Sequence, residues 1–293
     1  MDILFQQIIN GLALGLVFAL VAVGYSLVFG ILRLINFSHG SVYAFGAHVV
    51  FFVVGFGLGP VLGIIVSIIV TGFLGIFIDK IALAPLRRKK SMGMAALVTT
   101  LGISNIIQHT LVLISGSHRK AFPDFYNFGL VTVFGVQISS RQFVMLGVSL
   151  ILLLLLFFIV HKTKIGLAMR ATSQNQKAAS LMGINVNSVI TTTFFMSGAS
   201  AAIAGGLVAG YYQVVYPGMG FMIGLKAFAA SVLGGIGSLP GALIGGLLVG
   251  IMESVAALYI GSNYRDAMAF IILIIVLIFK PAGIFGKKDV IKV

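Results

Sequence analysis

Lys226 and Glu253 are the opposite charges that this chain sets in apolar surroundings, and they are the first place to look for chemistry. Each lies 13 to 14 residues from the middle of Gly234-Gly235-Ile236-Gly237-Ser238-Leu239-Pro240-Gly241, so an antiparallel hairpin brings both to one depth. An isolated charge in hydrocarbon is costly, and pairing is the usual resolution. The placement fits a structural ion pair that pins the hairpin, and it also fits a gating or substrate-facing pair.

Two further groups can form hydrogen bonds along a route. Thr100, Ser104 and Gln108 recur at i, i+4 and i+8 with Asn105 and His109 beside them, which puts a polar stripe on one helix. Such a stripe either lines an aqueous path or bonds to neighbouring helices. Asn36-Phe37-Ser38-His39-Gly40 sets three polar side chains and a turn-permitting glycine at an expected membrane interface, either as path-facing groups or as a connecting turn capped by Ser38. His109 has no second His or carboxylate at ligand spacing, so no metal site is expected. There is no phosphate-binding Gly-rich loop, no H-E-x-x-H and no Gly-x-Ser-x-Gly elbow. With one carboxylate well inside the apolar runs, paired acid-base catalysis is excluded and the chain is not expected to be an enzyme.

The elements that must position these groups are membrane helices. Of 293 residues, 59% are hydrophobic and 9% charged, and mean hydropathy is +1.15, far outside the range of soluble domains. Backbone groups cannot stay unpaired in lipid, and the alternation of a membrane barrel is absent, so the expected fold is an all-α polytopic bundle forming a single transmembrane domain over residues 1–293. Spans are expected at 5–32, 40–57, 60–84, 94–115, 141–160, 190–212 and 264–280, with 221–258 forming either two crossings or two half-helices that meet inside the membrane. That makes about 8–9 spans, with Gly234, Gly235, Gly237 and Pro240 as the helix break. Gly237, Gly241 and Gly245, or Gly246 and Gly250, offer small faces for close helix contact. The first run lacks a basic leader and is too long for a signal peptide core, so it is expected to be retained. Residues 116–140 form an outer loop in which 131–138 alternates around a glycine as a small hairpin.

Charge sets the orientation. Fourteen of the 19 basic residues fall in the loops holding Arg33, Lys80 to Lys90, Lys162 to Lys177 and Lys280 to Lys292, while Arg119, Lys120, Arg141 and Arg265 fall in the others. An excess of Lys and Arg marks cytoplasmic loops, so the N-terminus is expected outside and the C-terminus in the cytoplasm. The same asymmetry accounts for the net charge of +13 without nucleic acid as a partner. Cysteine is absent, so disulfides and thiol chemistry are excluded.

Residues 161–189 are a polar stretch between apolar runs. Ser173 followed by Gln176 makes a capping-box pattern and Gly183 a stop, which predicts a helix over 174–182. Ala178, Ala179, Leu181 and Met182 would form its mildly apolar face, flanked by Lys177. A loop this long is either a solvated connector or a docking piece for a partner.

The Ala178-Ala179 and Gly183 spacing resembles the cytoplasmic loop of ABC-importer permeases, although Lys177 stands where many families carry Glu and the trailing Ile-x-Leu-Pro is missing. A broader resemblance runs through Tyr25-Ser26-Leu27-Val28-Phe29-Gly30-Ile31-Leu32-Arg33-Leu34-Ile35-Asn36-Phe37-Ser38-His39-Gly40, Gly46-Ala47, Lys226-Ala227-Phe228, Gly234 to Ser238, Gly241-Ala242 and Gly245-Gly246, and includes Arg170-Ala171 through Gly183-Ile184-Asn185. These stretches resemble the branched-chain amino acid permease family and its LivH-type subunit. The resemblance implies a multi-pass permease in a prokaryotic plasma (inner) membrane that pairs with a LivM-type subunit, two cytoplasmic ABC ATPases and an extracytoplasmic binding protein. ATP-Mg would reside on the ATPases, with no cofactor in this chain. Arg170, Ser173, Gln174, Lys177, Ala178, Ala179, Met182 and Gly183 would form the ATPase-docking loop, and Asn36, Ser38, His39, Thr100, Ser104, Asn105 and Gln108 the candidate path. Branched-chain amino acids are the default cargo; urea, short amides or other amino acids are the alternatives within the family. A passive channel for small solutes is the alternative from a different class.

Overall fold

The computed structural model describes residues 2–89, 93–124, 129–133 and 136–286. Lys90, Lys287, Lys288 and Lys292 of the charge count, the hairpin tip Phe134-Gly135 and outer-loop residues 125–128 lie outside them. The helices are α1 (Asp2–Leu32), α2 (His39–Gly55), α3 (Pro60–Phe77), which continues through a π-helical turn (Ile78–Leu83) into α4 (Ala84–Arg88), α5 (Met94–Ser115), α6 (Ser140–Lys162), α7 (Lys164–Gln174), α8 (Gln176–Leu181), α9 (Val186–Tyr212), α10 (Met219–Gly234), α11 (Leu239–Tyr259) and α12 (Arg265–Phe279). Among the described residues, seven apolar helical stretches are long enough to span a membrane, and α2 and α10 are shorter apolar helices. The bundle is all-α and polytopic. Two small antiparallel pairs accompany it: β1 (Lys120–Ala121) with β4 (Val214–Val215), and β2 (Leu130–Val133) with β3 (Val136–Ser139), the second being the 131–138 hairpin.

The first helix is the axis of the molecule. From Ala13 to Val23 its apolar side chains are almost wholly buried, which its all-round hydrophobicity requires of a helix at the centre of a bundle. Close approach comes from missing side chains. A Cβ on Gly246 would stand 2.5 Å from Ala19 Cα, and one on Gly250 would stand 2.5 Å from Gly11 O, so α11 lies directly on the α1 backbone. The other glycine face, Gly241 and Gly245, meets α10 at Gly234 and Ala230. Both sets of small residues are therefore used, each against a different helix.

Helix directions alternate. The ends of α1, α4 and α6 gather at one end of the bundle with Arg33, Arg87, Arg88, Lys162, Lys164, Arg170, Lys177 and Lys280; we call this the basic end. Arg119, Lys120, Arg141 and Arg265 lie at the other. The turn between α10 and α11 is also at the basic end, where Gly237 faces Gly30, two residues before α1 ends. Gly234, Gly235, Gly237 and Pro240 therefore make a turn at the bundle surface, and 221–258 is not a hairpin that turns back at mid-depth. The chain after α12 covers this turn: Ile284 N–H donates to Leu233 O (2.9 Å) and Phe285 N–H to Gly234 O (3.0 Å), satisfying carbonyls that a helix end leaves open.

The interruptions at depth lie elsewhere. Arg33 takes a left-handed φ of +54° and ends α1, and residues 33–38 then climb back into the bundle without helix. His39, the first residue of α2, bonds through Nε2 to Val21 O (3.1 Å) and packs so tightly on Gly24 that a Cβ there would be 2.5 Å from the ring. Gly24 precedes the helix end by eight residues, about 12 Å. The Asn36 segment is thus buried in the bundle and not at an interface. The start of α10 meets it there, because a Cβ on Gly40 would stand 2.5 Å from Gly220 O. Two short helices, α2 and α10, begin inside the protein and cross at glycines. Irregular backbone survives at this depth only where protein encloses it.

The polar stretch 161–189 also folds differently from the expected single helix. Thr163 caps α7 by accepting from Gly166 N–H (3.2 Å), and α7 packs Gly166, Met169 and Thr172 inward. The break comes at Asn175 (φ −156°), whose Oδ1 accepts from Lys177 and Ala178 N–H, both at 3.0 Å. Asn175 is the cap, and Ser173 instead donates to Arg170 O inside α7. The expected stop does hold at Gly183, whose φ of +83° is open to glycine at little cost and closes α8 with Ile184 N–H on Ala179 O (3.0 Å). The nine-residue helix expected at 174–182 is a six-residue helix behind an eleven-residue one.

Candidate functional site

Where α2 and α10 begin, the bundle opens into a cleft. Tyr25 from α1, Phe37, Gly40 and Ser41 from the entry to α2, Leu101 and Ser104 from α5, and Gly220, Phe221, Gly224 and Leu225 from α10 line it, with a volume of about 40 Å³. That is room for a few waters and too little for an amino acid. A smaller cavity of about 10 Å³ lies toward the basic end, lined by Tyr25, Phe29, Ile35, Phe228, Ser231 and Ile236. Tyr25 borders both. Its ring stands edge-on to His39 (4.6 Å) and Phe228 (6.0 Å), and Phe37 packs against Phe228 at 5.9 Å, so an aromatic cluster separates the two spaces.

The polar stripe of α5 and the Asn36 segment, far apart in sequence, are brought together. Thr100 Oγ1 accepts from Phe37 N–H (3.3 Å) and Ser104 Oγ pairs with Ser41 Oγ (2.7 Å). Gln108 points toward Gly218, just before α10. Two corrections follow. Asn36, Ser38 and His39 do not line the cleft: Asn36 Oδ1 accepts from Ser38 N–H (3.2 Å) and Oγ–H (2.6 Å), while His39 faces Val21 O and Ser197 Oγ (3.3 Å). They build and bury the turn that delivers Phe37, Gly40 and Ser41 to the cleft. Asn105 turns outward and is exposed on α5, as is His109. Ser41, missed from sequence, follows the quoted motif by one residue and was hidden because its facing helix lies 63 residues away.

At the end opposite the basic one, Lys226 Nζ lies 2.9 Å from Glu253 Oε1, and two further charges join them. Asp266 Oδ1 is 2.6 Å from Lys226 Nζ, and Arg265 Nε is 2.6 Å from Glu253 Oε1. Tyr212 hydrogen-bonds Arg265. Glu253 is only 2% exposed and Asp266 53% exposed, so the network runs from the bundle interior to its rim. It ties α10, α11 and α12 together away from the cleft lining. In this placement the four charges balance.

The family model described as the branched-chain amino acid transport system / permease component matches residues 7–277. The chain belongs to this permease family. It is 39% identical over 98% of its length, and 97% of theirs, to the high-affinity branched-chain amino acid transport system permease proteins LivH of Escherichia coli (strain K12) and BraD of Pseudomonas aeruginosa. The probable branched-chain amino acid transport permease protein LivH of Methanocaldococcus jannaschii is 33% identical over 91% of this chain and 88% of its own.

In this permease the sequence-predicted docking loop separates into two kinds of residue. Leu181 and Met182 are 89% and 82% exposed and, with Lys177 and Ala178, present a free surface. Ala179 is buried against its own chain, and Arg170 donates to Val160 O, tying α7 to α6. Both are turned away from the exposed face of the loop. Gln174 is exposed, Ser173 is half-buried, and Gly183 sets the end of α8. Gln176, absent from the expected set, donates from Nε2 to Ile31 O at 2.8 Å. That bond joins α8 to the last turn of α1, two residues before the chain re-enters the bundle.

Proposed function

We propose that this permease is the membrane-spanning subunit of an ABC importer that carries branched-chain amino acids inward, with its basic end in the cytoplasm. The observation that carries this is the match across nearly the whole chain to proteins named as branched-chain amino acid permeases. ATP hydrolysis then belongs to two partner ATPases seated on the Leu181 and Met182 surface. A LivM-type chain completes the pair of permeases, and an extracytoplasmic binding protein delivers cargo at the opposite end. The aliphatic and aromatic lining of the cleft suits a branched apolar side chain, and the hydroxyls of Ser41 and Ser104 can exchange their mutual bond for bonds to the polar end of an amino acid.

Coupling runs through α8. Movement of the ATPases pulls on Leu181 and Met182, and the Gln176 bond to Ile31 O transmits the pull to the end of α1 and the segment that leads to Phe37 and Ser41. Gln176→Ala is expected to lower ATP-driven uptake roughly tenfold while ATPase activity persists, the size of a typical coupling term. Equal loss of both activities would show that Gln176 serves assembly and not coupling.

The assignment itself is tested in proteoliposomes holding the four-chain complex and its binding protein, with leucine, isoleucine, valine, urea and short amides offered in turn. ATP-dependent accumulation of the branched amino acids is expected. Accumulation of urea or an amide instead would replace the cargo, and ATP-independent equilibration by this chain alone would replace the importer with a channel.

A further inference from the structure

The chain beyond α12 folds back onto the bundle. Pro281 follows the helix with no N–H to extend it, and Gly283 N–H closes a turn on Lys280 O (2.9 Å). Gly283, at φ +80°, sits so close to the end of α10 that a Cβ there would be 2.6 Å from both Gly235 N and Val232 O. Ile284 and Phe285 then donate to Leu233 O and Gly234 O, and the Ile284 side chain packs against the core. Gly235, at φ +104°, meets Gly286 in the same way, since a Cβ would stand 2.5 Å from its nitrogen. Segment 282–286 is therefore held to the α10–α11 turn mainly by backbone on backbone.

That turn also shuts the smaller cavity. Ile236 lines it with Phe29, Ile35 and Phe228, and its volume of about 10 Å³ is room for no more than one water. Next in the chain, Gly237 lies against α1: a Cβ would be 3.4 Å from Gly30 Cα and 3.7 Å from Phe29 Cδ1. A solute leaving the bundle at the basic end needs the turn and the end of α1 to part. The turn thus has two neighbours, α1 with which it closes the cavity and segment 282–286 which bonds to its main chain. Through Asp266 and Lys226, α12 also holds α10 at mid-length. One helix and its extension therefore brace α10 at two points, and α10 carries the Gly220, Phe221, Gly224 and Leu225 wall of the cleft.

We propose that residues 282–286 are a strap on the inner gate of the path, holding the α10–α11 turn so that Ile236 stays across the smaller cavity. The grip is two neutral main-chain bonds and one half-buried side chain. Such bonds are weak enough to release during transport and strong enough to bias the turn toward closure. The proposal rests on the importer reading, which makes the basic end the exit.

Ile236→Cys in this naturally cysteine-free chain reports on the gate, and Ser41→Cys reports on the cleft. In the assembled complex without ATP, a membrane-impermeant maleimide is applied at the basic end for position 236 and at the opposite end for position 41. Ending the chain after Lys280, or Ile284→Asn in the full chain, is expected to speed labelling at 236 about tenfold, as loss of bonds that favour a closed state would. Labelling at 41 is expected to keep its rate. Phe285→Ala removes a side chain that is 47% exposed and leaves its main-chain bond, so it should match the parent at both positions. An unchanged rate at 236 in the Ile284→Asn complex overturns the strap, whether or not the shortened chain assembles. Faster labelling at both positions overturns it too, because the segment then serves general packing, as does failure of both variants to assemble. If the parent complex shows no ATP-driven leucine uptake while the variants still speed labelling at 236 alone, the importer reading falls and the strap stands on a passive gate.

Discussion

Gly40→Val is expected to abolish uptake and to destabilise the bundle by about 3 kcal/mol or more, the upper range for forcing atoms into a packed site. At Gly40 even a single added carbon stands 2.5 Å from Gly220 O and 3.1 Å from Gly224 Cα, and both obstacles are backbone. Neither can rotate away, so α2 and α10 must separate, and the Phe37, Ser41 and Gly224 walls of the cleft separate with them. Gly55→Val is the control in the same helix, because nothing lies within 4 Å of that position. Thermal unfolding in detergent and uptake in proteoliposomes measure the two effects. A Gly40→Val protein that melts and transports like Gly55→Val would show that the crossing of the two interior helix starts is dispensable.

Glu253→Ala carries the second large effect, a loss of about 3–5 kcal/mol, because it breaks a buried ion pair from the better-buried side. Lys226 keeps only Asp266, and Arg265 loses its carboxylate altogether. Asp266→Asn should cost about 1 kcal/mol or less, since that carboxylate is 53% exposed and screened. Lys226→Met falls between, because Arg265 still stands against Glu253. The network also changes what a charge swap can show. With both Lys226→Glu and Glu253→Lys in place, the new lysine faces Arg265 and the new glutamate faces Asp266, so the double reversal is expected to fail although the original pair is real. The informative double is Lys226→Met with Glu253→Met, which removes both buried charges and should be less damaging than Glu253→Ala alone. Glu253→Ala stability within about 0.5 kcal/mol of the parent, the range of an ordinary surface change, would refute the network's structural role.

Much of the architecture was legible in local composition. Hydropathy over about 20 residues located the spans, because burying backbone in lipid requires helix length and apolar side chains at each crossing in turn. The charge count separated the two ends of the bundle, and the positions of Arg33, Arg87, Lys162 and Arg170 at one end agree with it. The i, i+4, i+8 spacing of Thr100, Ser104 and Gln108 was enough to put them on one face, and Gly183 was enough to end α8, because both are properties of a single helix.

What a helix meets is another matter. Asn36, Ser38 and His39 are polar residues between two apolar runs, and sequence alone assigns such residues to a surface turn or a path. Only the packing of His39 on Gly24 and of Gly40 on Gly220 brings that turn back into the bundle, through contacts 15 and 180 residues apart. The choice of Asn175 over Ser173 as a helix cap had the same origin: both side chains can cap, and the packing of α7 through Gly166, Met169 and Thr172 carries that helix past Ser173. Asn105 and Ser104 are adjacent in sequence, yet one faces the neighbouring helix and the other the outside. The sequence by itself determined which segments are membrane helices, their alternation and the charge of each end, since these depend on each segment's own transfer from water to lipid. Tertiary structure alone decided that α2 and α10 start inside the protein, that Ser41 and Phe37 line the cleft in place of Asn36 and His39, and that Lys226 and Glu253 belong to four charges. Those outcomes depend on which backbones pack directly on one another, and that is a property of the assembled bundle.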